Sequence, residues 1–141
     1  MPVKRSGFRT LVGYRAEVWR DGHAEIVLDV GPQHLNSLGI VHGGVYAAML
    51  DSACGHAATW VSVPGNVRRC VTVSLATSFL ASARSGRLRA IGRRHGVDAR
   101  RNVTLSAKVM DEAGQVLAIA QATFRYERGS ERVEGVPRVV P

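Results

Sequence analysis

Cysteine is scarce: the 141 residues hold two, Cys54 and Cys70, too few and too far apart for a disulfide framework or for the C-x-x-C spacing of zinc and redox sites. Both read as buried free thiols. Aromatic residues make up 6% of the chain, so its arginines are not interleaved with the stacking rings of single-strand binders. No nucleic-acid motif occurs either, and no nucleic-acid partner is expected. No stretch approaches the roughly 20 apolar residues of a membrane span, and the opening MPVKRSGFRTLVGYRAEVWR never reaches the apolar run of a signal peptide. No membrane partner is expected, and residence in the cytoplasm is. His42, Asp51, Cys54 and His56 show no familiar ligand spacing, so no metal is expected.

What is present is ordinary for a folded chain: 45% hydrophobic and 21% charged residues. The length suits one domain over residues 1–141, which at this size buries roughly 68–70% of the surface its unfolded form exposes. Lys and Arg number 19 against 11 Asp and Glu, a net charge of +8. That balance favours an anionic partner, without choosing which.

Along the chain the pattern changes period. Residues 14–30 read as a hairpin, with Asp21-Gly22 as the turn and Ala24, Ile26, Leu28 and Val30 on one face. Gly31-Pro32 ends it, and a polar loop follows. Residues 45–58, VYAAMLDSACGHAA, are apolar on nearly every side of a helical projection, which predicts a helix inside the fold. After Pro64-Gly65, CVTVSLATSFL has the alternation of a strand. Three more strands are predicted over 87–94, 102–110 and 115–126, joined as a meander. From about residue 128 to 141 the tail is charged and without period, and a mobile end is expected. Together these elements predict an α+β domain with an antiparallel sheet wrapped around a central, largely buried helix.

Two features at that helix carry chemistry. Gly43-Gly44 stands at its entry, where the first N–H groups lack intrahelical partners and sit at the positive end of the helix dipole. An oxyanion or carbonyl oxygen fits there, although a glycine pair also serves close packing. Asp51 lies about two turns further in, too far to cap the helix, among Ala47, Ala48, Met49, Leu50, Ala53 and Cys54. It is either an acid on a narrow solvated stripe or a functional carboxylate, and its surroundings favour the second. A carboxylate facing a helix N-terminus is a pairing for acyl transfer or hydrolysis. Gly43 and Asp51 cannot meet within one rigid helix, but a two-fold axis can bring Gly43 of one copy toward Asp51 of another.

At these residues the chain resembles a known family. N-x5-HGG-x6-D on a buried helix is similar to the hotdog-fold thioesterases of the PaaI type. The likeness extends to VTVSLATSFLASARSGRLRA and to GQVLAIAQATF. The resemblance implies hydrolysis of acyl-CoA, with Asp51 as nucleophile or general base and the Gly43 N–H polarising the thioester carbonyl. It implies that Asn36 orients the thioester or water, that His42 shapes the oxyanion loop, and that Thr72 positions water opposite Asp51. For His42, a purely local hydrogen bond fixing the loop is an equal alternative. Gly44, Tyr46, Met49, Phe79 and Arg84 are the expected substrate-binding residues, with Arg87, Arg89, Arg93, Arg94, Arg100 and Arg101 as further candidates for phosphate. A homodimer, commonly paired into a homotetramer, is implied. Coenzyme A enters only as part of the substrate, and no cofactor is expected. One departure is Ala81-Ser82-Ala83, where many relatives carry proline.

Two rivals share the same pocket. A non-catalytic acyl-CoA-binding module would hold the ligand without turnover. A hotdog hydratase or dehydratase would use an Asp and a His as an acid/base pair. Asp51 and His56 lie about 140° apart around a helix, so they cannot both aim at one substrate atom from one chain.

Overall fold

The computed structural model describes residues 6–139. Helix α1 (Gly7–Val12) leads into the antiparallel hairpin of β1 (Arg15–Arg20) and β2 (His23–Asp29). Gly22 turns it with φ at 72°, the left-handed region that glycine enters without steric cost. After a single 3-10 turn at Pro32–His34 comes helix α2 (Gly43–Thr59). There follow β3 (Asn66–Val67), β4 (Cys70–Phe79), β5 (Arg87–Val97), β6 (Asn102–Met110), β7 (Val116–Tyr126) and β8 (Val136–Pro137).

Six strands form one sheet in the order β1-β2-β5-β6-β7-β4, every neighbour antiparallel. Alternation decides its inner face. Ala24, Ile26 and Leu28 of β2, Leu88 and Ala90 of β5, Leu105 and Val109 of β6, and Ala118, Ala122 and Phe124 of β7 are all buried in one core. The sheet wraps α2, which buries Tyr46, Met49, Leu50, Ala53, Cys54, Ala57 and Ala58. Small residues allow a close crossing: a Cβ on Gly92 would collide with the Ala53 carbonyl. This is the α+β architecture expected, with β5, β6 and β7 as the meander.

Several details differ. The helix starts at Gly43 rather than Val45, because the His42 side chain caps it. It is not apolar all round: Asp51, Ser52, Gly55, His56 and Thr59 form a half-buried stripe. Helix α1 escaped notice because it is short and buries nothing. The segment after Arg128, expected as a mobile end, lies against the body, with β8 paired to β3 and Ser130 fully buried. The buried Arg68 guanidinium donates to the carbonyls of Ser130, Trp60 and Glu131 at 2.8, 2.9 and 3.2 Å. It also lies 4.9 Å from the centre of the Tyr126 ring. A buried cation and scattered hydrogen bonds, rather than a periodic apolar face, hold this segment, so periodicity could not reveal it.

Strand β4 is an edge. It and the next residue expose Val71, Val73, Phe79 and Leu80 at 62, 52, 56 and 58%, an apolar margin of the kind that natural sheets normally cover. Among the described residues no helix is long and apolar enough to cross a membrane.

Candidate active site

The entry to α2 is built by its own loop. Asn36 Oδ1 accepts from the N–H groups of Leu38 and Ile40 at 2.9 and 3.4 Å, closing a tight turn. Its amide nitrogen makes no hydrogen bond among the described residues. Arg84 Nη1 clamps the same turn by donating to the Leu38 and Gly39 carbonyls at 3.4 and 3.2 Å. His42 caps the helix: its Nδ1 accepts from the Gly44 N–H at 2.8 Å. The Gly43 N–H finds no acceptor among the described residues. Gly43 borders a cavity of about 270 Å³ with Asn36, Ile40, Tyr46, Phe79 and Ser82. The Tyr46 and Phe79 rings stack there at 6.5 Å and 24°, an offset arrangement favoured between aromatic rings.

Asp51 lies elsewhere. Its Oδ1 accepts from Thr72 Oγ1 at 2.6 Å, a short bond that orients the carboxylate, and Oδ2 has no partner among the described residues. Asp51 is half-buried and faces an open cleft of about 860 Å³. Ser52, His56 and Thr59 line the cleft from the helix, with Tyr14 and Arg69 from other segments. Two thiols flank this half. Burial, reinforced by the Asp51 charge, pushes Cys54 up to about 12 and Cys70 up to about 11. Both therefore stay protonated at neutral pH.

Gly43 and Asp51 stand eight residues apart on one helix, about 12 Å along its axis. No residue borders both cavities. A single chain thus presents two half-sites: an N–H without an acceptor among the described residues in one cavity, and a carboxylate held by Thr72 in the other.

The expected residues divide accordingly. Gly43, Asn36, Tyr46 and Phe79 meet in the first cavity, while Asp51 and Thr72 meet in the second. His42 takes the local role of a helix cap. Met49 borders neither cavity, because it points into the core and is fully buried. The Gly44 N–H is already taken by His42, so it offers no free donor. Arg84 borders neither cavity and holds the loop. Arg87, Arg89 and Arg94 are engaged by Asp29, by Glu17 and Glu25, and by Asp21, at 2.6 to 3.1 Å. Those pairs hold the sheet's outer face and leave little for a phosphate. The polar stripe of α2 was missed as a unit, although Asp51, Ser52, Gly55, His56 and Thr59 recur at helical spacing and could have been read from the sequence. Among the described residues no group of three or more His, Cys, Asp or Glu side chains is placed to hold a metal ion.

A sheet wrapped on one long helix, with a free N–H at the helix start and a carboxylate further along, defines the hotdog class. Residues 38–118 match the Thioesterase superfamily, more than half of the chain, and the chain belongs to that family. A Mycobacterium tuberculosis protein provisionally named as an esterase is 42% identical over 71 residues. That match spans about half the length of the curated relative, 50% of each chain. The solved structure of the same protein superposes with a TM-score of 0.77 at 27% identity, covering 86% of this chain and 97% of that one. The AziG protein of S. sahachiroi gives 0.74 at 28% identity over 84% and 94%. A variant of the phenylacetic acid degradation protein PaaI from Thermus thermophilus gives 0.73 at 25% identity over 85% and 99%.

Proposed function

We propose that this chain is a cytoplasmic acyl-CoA thioesterase working as a homodimer, in which Gly43 of one protomer and Asp51 of its partner form one site. The observation that carries this reading is the separation of the half-sites. Each is chemically incomplete, and the exposed β4 edge contributes to both, through Thr72 beside Asp51 and Phe79 beside Gly43. A second copy laid along that edge would cover Val71, Val73 and Leu80 and close both cavities. Two such dimers would pair into a tetramer.

The chemistry follows from the groups present. The thioester carbonyl oxygen sits against the Gly43 N–H, which strengthens its bond as negative charge builds on that oxygen. The Asn36 amide offers a second donor for the thioester or the water. Asp51 takes a proton from water as the oxygen attacks the carbonyl carbon, or attacks that carbon itself. Collapse of the tetrahedral intermediate breaks the C–S bond. In the first route the departing thiolate takes up the proton that Asp51 accepted. In the second it leaves a mixed anhydride on Asp51, which water hydrolyses to the free acid and the restored carboxylate, one proton of that water going to the thiolate. The Thr72 hydroxyl holds Asp51 in one rotamer throughout.

The test is free-thiol release from a panel of acyl-CoAs by the wild type and by Asp51→Asn, after both show the same oligomeric mass. Turnover of at least one substrate is expected, falling on the order of 10²–10⁴-fold in the variant. A folded, dimeric wild type with no turnover across the panel would leave a binding module or another thioester chemistry.

A further inference from the structure

His56 is a half-buried side chain of the Asp51 cleft that hydrolysis as written above does not use. It lies one turn and a residue beyond Asp51, about 7.5 Å along the helix axis. Its ring is held from two sides. Nδ1 lies 2.8 Å from the Ser52 carbonyl oxygen, which can only accept, so Nδ1 carries the proton. Trp19 meets the ring edge-on at 5.3 Å between centroids, and its indole N–H donates to the His56 carbonyl at 2.6 Å. The Ser52 hydroxyl stands 3.4 Å from the same Nδ1. It gains no base from a nitrogen that is itself donating, so Ser52 and His56 do not form a nucleophile pair.

That tautomer leaves Nε2 as a lone-pair acceptor. Among the described residues it has no hydrogen-bond partner, yet no buried side-chain nitrogen or oxygen lacks one. Nε2 is therefore open to solvent, and the cleft that His56 borders is the one that holds Asp51 and Thr72. Burial lowers the imidazole's proton affinity, with Arg9 nearby acting in the same direction against the Ser52 bond. The ring therefore stays neutral and accepting near pH 7. The angular offset that separates His56 from Asp51 around the helix removes it from the reacting carbon, but not from a substrate that extends along the cleft.

We propose that His56 Nε2 accepts a hydrogen bond from an N–H or O–H group of the bound thioester, remote from the carbonyl. Two parts of the substrate carry such a donor: the amide N–H groups of the pantetheine arm, and a hydroxyl on the acyl group. The inference rests on the thioesterase reading for its substrate, and its geometry comes from the cleft alone. The contact makes His56 a substrate-binding residue that selects on KM rather than on kcat.

The experiment compares wild type, His56→Leu and His56→Gln on matched pairs: butanoyl-CoA with 3-hydroxybutanoyl-CoA, and benzoyl-CoA with 4-hydroxybenzoyl-CoA. Losing one such bond should raise KM about tenfold in His56→Leu with kcat nearly unchanged. Glutamine, which keeps an acceptor, should recover part of the loss. A rise shared by every substrate assigns the donor to the pantetheine arm, and a rise confined to the hydroxylated members assigns it to the acyl group. If the wild type releases no thiol, the thioesterase reading fails by itself. Calorimetric dissociation constants for the same acyl-CoAs then report the contact directly. Equal KM or equal affinity for wild type and His56→Leu, with both folded, overturns the proposal. So does a loss in kcat alone that glutamine does not relieve.

Discussion

The two half-sites on α2 are made in opposite ways. Around Gly43 the group is a backbone N–H, held by a loop in which Asn36 and His42 fix one turn after another, with Arg84 clamping it from 45 residues away. Around Asp51 the reactive group is a side chain, held by a hydroxyl from a strand 21 residues away, and its cleft is walled by segments from both ends of the chain. The N–H of the first is oriented by sequence neighbours, while its pocket wall comes from Phe79 to Ser82. The second exists only after the sheet has closed on the helix. The free N–H thus comes from backbone geometry at the helix start, and the held carboxylate from tertiary contact.

Mutations can break the contrast at either end. The largest effect after loss of Asp51 itself should come from Gly43→Pro. Proline is favoured at the first helical position and has no N–H, and the extended ψ of 136° at His42 suits a following proline. The Phe79 ring edge would have to give slightly, since a Cβ at residue 43 meets it at 3.3 Å. The helix should stay intact while kcat falls about 10²–10³-fold, as for loss of one oxyanion donor. Circular dichroism with single-turnover kinetics checks both halves of that statement. A Gly43→Pro enzyme with unchanged kcat would remove the N–H from the mechanism.

Thr72→Val should come next. It removes the 2.6 Å bond to Asp51 and keeps the shape. A hydrogen bond to a charged group contributes about 1.5–3 kcal/mol, so kcat should drop about ten- to hundredfold, with Thr72→Ser recovering most of it. An equal loss in serine and valine variants would point to packing rather than to the hydroxyl.

The smallest effect concerns the thiols. Desolvation first, then the Asp51 charge, holds Cys70 protonated up to about 11. Replacing Asp51 by Asn removes the second cause, so the Cys70 thiolate forms more readily and alkylates faster at a fixed pH near 8. Mass-spectrometric labelling of folded wild type and Asp51→Asn reads this as the ratio of Cys70 rates, with Cys54, pushed up to about 12 by burial and the same charge, labelling more slowly in both. Equal Cys70 labelling rates in the two proteins would separate that thiol from the carboxylate.

How much of this could be read from the sequence follows the same local and non-local divide. The hairpin turning at Gly22, the helix and the 102–110 strand stood out because each is specified by its own turn residues and period. Gly43, Asn36 and His42 were legible as one short motif, and Asp51 as a carboxylate misplaced among apolar residues. Periodicity alone does not say which apolar side of α2 meets the core, and Met49 lies on that side. Of the β5 arginines named as candidates for phosphate, Arg87, Arg89 and Arg94 are engaged by Asp29, by Glu17 and Glu25, and by Asp21, all distant in sequence. The docking of the last segment was invisible for the same reason: Arg68 reaches residues about sixty positions away.

The claim that both halves must come from different chains is tested most directly by mixing two inactive enzymes. Gly43→Pro and Asp51→Asn homodimers, each lacking one half in every site, are unfolded together, refolded at equal concentration and assayed. Random pairing gives mixed dimers in about half the population, each with one site built from two unaltered halves, so activity should return to about a quarter of wild type. If activity stays at the level of the separate variants while native mass spectrometry shows mixed dimers, the carboxylate and the N–H do not meet across the interface.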